Sequence, residues 1–253
     1  MKTYRTSEIA HIIGIHPNTV RLYEELELIP KPERRPNGYR VYTDLHLEQF
    51  RLARIALKVE VLQNGLRKKA IEIIKTSAKC DFGWALILAQ EYLKQIEKEK
   101  QNAEEAISIT NQLLLNGGRQ EDGTYLGRKE AAEYLQVTID TLRNWEMNGL
   151  LTVKRKKNGY RVYTQEDISR LKIIRSLRCA NYSLSAILRM LNSLSYNPEA
   201  DIRETLETPK ESEDIVSVCD RLLTSLNNAG ENARNMLAHL KRMKKQFQIN
   251  PPL

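Results

Sequence analysis

Cysteine is scarce in this chain of 253 residues. The three present, Cys80, Cys179 and Cys219, stand far apart with no CxxC or CxxH pair, which argues against a disulfide framework and a zinc module. No apolar run approaches the ~20 residues that a membrane span requires, and Met1-Lys2-Thr3-Tyr4-Arg5 lacks the apolar stretch of a secretory signal. The expectation is a soluble, cytoplasmic protein with no membrane partner. Catalytic groups are missing as well. No nucleophile and base pair off, no carboxylates cluster, and Gly117-Gly118 lacks the lysine of a phosphate loop. The four histidines, His11, His16, His46 and His239, are scattered, so neither a metal nor a cofactor is expected and the chain does not read as an enzyme.

What the chain has is apolar material for real cores, 41% of its residues, and a net charge of +8. The length suits one or two domains. The charge is uneven: residues 1–77 carry +5, 78–122 carry −3, 123–195 carry +7 and 196–253 carry −1. Two basic blocks on a near-neutral scaffold suit two anion-binding modules, and nucleic acid is the commonest large intracellular polyanion.

An internal repeat sharpens this reading. Asn37-Gly38-Tyr39-Arg40-Val41-Tyr42-Thr43 recurs unchanged as Asn158-Gly159-Tyr160-Arg161-Val162-Tyr163-Thr164, and Thr19-Val20-Arg21-Leu22-Tyr23-Glu24 aligns with Thr141-Leu142-Arg143-Asn144-Trp145-Glu146. The match covers about 70 residues, one copy in each basic block.

Each copy has the same local logic. Thr6 is placed to cap a short helix carrying Ile9, Ala10 and Ile13 on one face, and Gly14 to end it. A second helix restarts at Pro17, where the missing amide proton costs nothing. In the second copy Ala131, Ala132 and Leu135 form the first helix and Thr138 caps the next. Helix, tight turn, helix suits a helix-turn-helix. Then comes a short apolar step, Leu28-Ile29 or Leu150-Leu151, and a basic loop running into Asn-Gly and an alternating Tyr-Arg-Val-Tyr strand, which reads as a hairpin wing. Thr43 and Thr164 are placed to cap the helix that follows, the latter with Asp167 at capping-box spacing.

A helix-turn-helix lays its second helix in the major groove, with the N-terminal residues over bases and flanking cations on phosphates. The base-reading candidates are therefore His16, Asn18 and Thr19 in the first copy, and Thr138, Asp140 and Thr141 in the second. Asn suits adenine, whereas Asp140 is repelled by phosphate and at best accepts from a cytosine amine. Wing cations are Arg34, Arg35 and Arg40, then Arg155, Lys156, Lys157 and Arg161. Tyr39 and Tyr42, like Tyr160 and Tyr163, suit wing packing and phosphate contact equally. Glu24 and Glu146 read as ion-pair partners inside the module.

These motifs resemble the MerR family of bacterial transcription regulators. The family pattern runs G-V-x-x-x-T-[IL]-R-x-[YW]-E, then G-L-[IL], then a basic wing ending in G-Y-R-x-Y. The first copy fits it from Gly14 to Tyr42 with Glu27 in place of one Gly, and the second from Val137 to Tyr163 with Gln136 in place of another. The resemblance implies that Arg21 and Arg143 approach DNA and that Tyr23, with Trp145 as its counterpart, contacts the backbone. It implies a site within a promoter, distortion of that DNA, and engagement of RNA polymerase. A family subunit carries one copy and pairs through a long helix across a homodimer, so two copies in one chain raise an intramolecular pseudo-dimer as the rival arrangement. An architectural or partition protein is the alternative function, with the second module as a protein-docking domain.

The non-repeated segments supply the long helices. Ile215, Val218, Leu222, Leu226, Ala229, Ala233, Leu237, Leu240 and Phe247 make an apolar stripe some nine turns long. Trp84, Leu88, Tyr92, Ile96, Ala103, Ile107 and Leu114 make another, interrupted by the polar run 97–102. Metal-sensing relatives use cysteines near the coiled-coil ends, but Cys80 and Cys219 fall short of a ligand set, and only 58 residues follow Ser195, too few for a large effector domain. An aromatic pocket from Trp84, Tyr92 or Tyr196 competes with core packing. The expected fold is mainly α: winged helix-turn-helix domains over 1–77 and 123–195, a linker with a long amphipathic helix over 78–122, and a linker plus coiled-coil helix over 196–253.

Overall fold

A computed structural model describes residues 2–58, 65–116, 125–155, 159–209 and 220–247. The chain is mainly α with two small sheets, and it divides into two compact units, Met1–Glu97 with Leu226–Leu253, and Lys98–Ser225.

The first unit opens with a two-residue strand, β1 (Thr3–Tyr4), then α1 (Thr6–Ile13) and α2 (Pro17–Glu25). The residue capping α1 is Arg5 rather than Thr6: its backbone N–H donates to the Glu8 carboxylate three residues on, at 2.6 Å. Gly14 ends α1 in the left-handed conformation, φ 72°. α2 begins at Pro17, with the His16 imidazole accepting from the Asn18 N–H at 3.2 Å. The wing strands β2 (Glu33–Arg34) and β3 (Arg40–Thr43) pair antiparallel, and β1 adds to the other side of β3, so the expected hairpin is a three-stranded sheet of order β1-β3-β2. α3 (Asp44–Leu57) and α4 (Leu66–Ala78) close the module around Val20, Tyr42, Phe50 and Ile73, all fully buried. Gln49, buried in α3, donates to the carbonyls of Leu28 and Ile74 and accepts from the Ser77 hydroxyl, so its polar groups are satisfied.

The second unit repeats this plan. β4 (Leu126–Gly127), α6 (Arg128–Tyr134), α7 (Ile139–Met147), β5 (Lys154–Arg155) and β6 (Arg161–Tyr163) give a sheet of order β4-β6-β5. α8 (Gln165–Cys179), α9 (Leu184–Tyr196) and α10 (Ile202–Glu207) follow. Arg170 takes the place of Gln49, donating to the Leu150 carbonyl at 2.7 Å. Thr138 and Thr164 cap α7 and α8 as expected, each accepting from the N–H three residues on.

Two positions explain where the copies depart from the family pattern. The turn after the first helix of each copy needs a positive φ, met by Gly14 (72°) and by Gln136 (52°). The turn after the second needs one as well, met by Glu27 (57°) and by Gly149 (75°). The hydrogen bonds are the same in both copies: Ile15 to Ala10 and Val137 to Ala132 at the first turn, Leu28 to Tyr23 and Leu150 to Trp145 at the second. Each copy keeps glycine at one turn and accepts left-handed strain at the other.

The long helices differ from their sequence reading in detail. α5 (Phe82–Asn116) runs unbroken through the polar stretch 97–102, and the division into units falls there, after Glu97. Its buried stripe is Phe82, Ala85, Ala89, Tyr92 and Ile96 in the first unit, then Ala103, Ala106 and Thr110 in the second. Trp84 is exposed because a 3.6-residue period through Phe82 turns it off the stripe, whereas Leu114 keeps the stripe's register and is exposed in the last turn of the helix. α11 (Leu222–Phe247) is 26 residues long. Ile215, Val218 and Cys219 lie outside the described residues. Met236, His239 and Met243 join its buried face, which in the first unit meets α5: Arg234 pairs with Glu97 at 3.6 Å, and Gly230 sits against Ile96. The aromatic pocket does not form, since Tyr92 is buried while Trp84 and Tyr196 are exposed.

Candidate nucleic-acid interface

The residues expected to read bases in the first module lie at the N-terminus of α2. His16 is exposed and spends Nδ1 on the cap, so its other ring nitrogen stays available. Asn18 and Arg21, one turn apart and both exposed, are joined by a bond from Arg21 Nη1 to Asn18 Oδ1 at 3.0 Å. That bond orients the amide and the guanidinium together, leaving the Asn18 NH₂ to donate outward. Thr19 is half-buried beside them.

The wing stands next to this helix. Gly38, at φ 81°, closes its tip, with the Arg35 N–H donating to the Tyr39 carbonyl. Tyr39 itself is 71% exposed, which removes the packing role for its ring. Arg35 is exposed and Arg34 half-exposed. A cleft of about 650 Å³ lies between the start of α1, α2 and the wing, lined among others by Arg5, Arg21, Arg35 and Tyr39. Sequence pattern alone does not single out Arg5. Its signal is local: a cation at the cap of the first helix, immediately after the strand β1 that joins the wing sheet.

Two expected contact types sit differently. Arg40 is not a free wing cation: its guanidinium binds the Glu24 carboxylate, which also takes Arg34 at 3.5 Å. Arg161 does the same with both oxygens of Glu146, at 2.6 and 2.9 Å. Both arginines are about one-fifth exposed and tie the wing to the recognition helix. Tyr23 and Trp145, expected at the DNA backbone, are buried; Tyr23 stacks on Phe50 with ring centroids 5.4 Å apart. Their rings serve the core, because a large apolar face at that helix position turns inward with Val20 and Leu142.

The second module exposes a different reading surface. Thr138 and Thr141 bond to each other through their hydroxyls at 2.8 Å, in addition to the cap. Asp140, Arg143 and Asn144 are exposed on α7. Arg155 is exposed on β5, and Tyr160 is 73% exposed, matching Tyr39. Lys156 and Lys157 lie outside the described residues. Burial raises the phenol pKa of Tyr42 and of Tyr163, so both core tyrosines stay neutral. Among the described residues no three His, Cys, Asp or Glu side chains converge as a metal site, and no helix is long and apolar enough to cross a membrane.

A capped recognition helix flanked by a cationic wing, present twice, defines a winged helix-turn-helix protein. Comparison with known proteins gives the family. Residues 5–42 match the family model described as MerR family regulatory protein, and residues 128–194 match that of the MerR HTH family regulatory protein. The chain is 30% identical over 110 residues to the HTH-type transcriptional regulator CueR of Escherichia coli O6:H1, covering 43% of this chain and 76% of that protein. It is 27% identical over 99 residues to the mercuric resistance operon regulatory protein of Bacillus cereus, covering 38% and 75%. Against the HTH-type transcriptional regulator ZntR of Escherichia coli K12 the identity is 38% over 71 residues, covering 28% and 50%. No solved structure matches significantly. The chain belongs to the MerR family, and it is a DNA-binding transcriptional regulator.

Proposed function

We propose that this chain binds promoter DNA with both of its winged modules and distorts it so that RNA polymerase engages the promoter. The observation that carries the reading is the duplicated reading head: α2 and α7 each expose capped N-terminal residues beside a wing with an exposed tyrosine at the same place. The base contacts are assigned to His16, Asn18 and Thr19 in one module and to Thr138, Asp140 and Thr141 in the other, with Arg21 and Arg143 beside them. Phosphate contacts fall to Arg34, Arg35, Tyr39, Arg155, Lys156, Lys157 and Tyr160. Arg40 and Arg161, through Glu24 and Glu146, set the wing's angle rather than supplying free charge. Distortion and polymerase engagement rest on the family likeness.

One chain then does the work of a dimer. Support comes from the first unit, where α11, the helix that follows the second module, lies against α5 and docks on α3 through His239, 2.9 Å from the Glu48 carbonyl. Sedimentation of the full chain tests this: a monomer of 29.3 kDa at high concentration is expected, and a stable dimer overturns it. Asp140, exposed at the N-terminus of α7, favours a second reading in which the second module docks a protein. Arg143→Ala separates the two, because Arg143 is exposed and makes no described contact that holds the module together. A large loss of DNA affinity supports two reading heads, and unchanged affinity supports the docking role.

A further inference from the structure

The first unit holds a second cleft of about 650 Å³ that shares no residue with the one beside the wing. It is bounded by the end of α1, one face of α3 and the last turns of α11. Its walls are of two kinds. Ile12, Ile13 and Ile55 give an aliphatic side, and Ile12 is 44% exposed there. The other side is cationic: Arg51 and Arg54 from α3 and Arg242 from α11, against a single carboxylate, Glu48.

The hydrogen bonds show which charges are already spent. Arg51 is paired with Glu48. The buried His239 imidazole donates from Nε2 to the Glu48 carbonyl at 2.9 Å, and Nδ1 accepts from Arg242 Nη2 at 3.1 Å. A carbonyl can only accept and a guanidinium can only donate, so this pair of bonds fixes the neutral imidazole. His239 adds no charge, and Arg242 keeps its remaining N–H donors. Arg54 has no hydrogen-bond or ion-pair partner among the described residues. Among the described residues, then, two guanidiniums face the cleft with no carboxylate of their own, beside an aliphatic wall, in a volume typical of small-molecule sites.

We propose that this cleft binds a small organic anion, a carboxylate or phosphate carried on an aliphatic body, with Arg54 and Arg242 on the charged group and Ile12, Ile13 and Ile55 around the apolar part. The site joins α11 to the helices that support the recognition helix, so occupancy adds contacts across that junction; its role as an effector site rests on the regulatory reading above. Neither the charge nor the aliphatic wall would suffice alone, and this gives the test.

Titration calorimetry on the full chain compares decanoate, decan-1-ol and inorganic phosphate. Saturable binding of one decanoate per chain is expected, with the alcohol and phosphate each at least tenfold weaker. Arg54→Gln and the double variant R54Q/R242Q are expected to weaken decanoate at least tenfold while leaving DNA affinity of the ligand-free protein within about twofold of wild type. Among the described residues Arg54 makes no hydrogen bond or ion pair to α11, so R54Q carries the test even where R242Q loosens the helix. Absent decanoate binding, equal binding of the alcohol, or decanoate binding unchanged by R54Q overturns the proposal. Loss of DNA affinity in R54Q without loss of decanoate binding also overturns it, in favour of a DNA-phosphate contact. Failure of the regulatory reading would appear separately, as an absence of sequence-selective DNA binding with decanoate binding intact.

Discussion

The wing is held by one carboxylate in each module, and cutting that tie has a calculable cost. Glu24 is 12% exposed and Arg40 21% exposed; Glu146 and Arg161 are 19% and 21% exposed. Pairs on the open surface contribute about 0–1 kcal/mol, whereas breaking a buried pair costs about 3–5 kcal/mol because the surviving charge is left stranded. One-fifth exposure lies between, so Glu24→Ala or Glu146→Ala should cost about 2 kcal/mol. Arg34, half-exposed and 3.5 Å from Glu24, adds little to the first module and has no described counterpart on Glu146. The loss is local, since the pair bridges the recognition helix to β3 or β6. Amide hydrogen exchange on the full chain reads it directly: protection of Val41 or Val162 should fall about thirtyfold. A cycle of E24A, R40A and the double variant should return a coupling of about 1.5 kcal/mol. Protection within twofold of wild type, or a coupling below about 0.3 kcal/mol, would refute the idea that these carboxylates set the wing.

Three further outcomes are expected. Burial holds the His46 imidazole at about 4, below its usual 6.5, so the unfolded chain takes up the proton first; stability is full above pH 6.5 and falls as pH drops through 4, by about 3 kcal/mol, and H46Q, which keeps a capping acceptor, should flatten this acid slope in denaturant titrations. Glu27→Gly and Gln136→Gly each relieve left-handed strain at the cost of glycine's chain entropy and one exposed contact, and should stabilise by about 0.5–1 kcal/mol; destabilisation in thermal unfolding would contradict the strain. Removing Arg21 and Arg143 together should lower the slope of log affinity against log salt by about 2 if both touch phosphate, and by about 1 if only one module binds.

The repeat, the helix start at Pro17, the caps Thr138 and Thr164, and the Asn-Gly wing were legible because each depends on neighbours in sequence. β1 and β4 were not: two residues carry no periodicity, and their only partner lies some forty residues on. The polar run 97–102 interrupts the apolar stripe but not the helix, since helix continuity needs only backbone bonds and residues without strong objections to helix, which Glu, Lys and Gln satisfy. Ala85 and Ala89 carry little apolar signal beside Trp84, yet both are buried on the stripe. The candidate base-reading residues are placed by helix register, and they stand at the N-termini of α2 and α7. The engagement of Arg40 and Arg161 was half visible in the ion-pair reading of Glu24 and Glu146, but which cation each carboxylate takes is fixed by the wing's position in space.

Whether one chain carries two working reading heads is decided by selection of preferred DNA from a random pool by the full chain, with footprinting of the winners and the mass of the complex. Two protected half-sites per DNA, bound by a single chain and differing in sequence as α2 and α7 differ, is the predicted result. A single half-site per chain, or two chains on each operator, would contradict it.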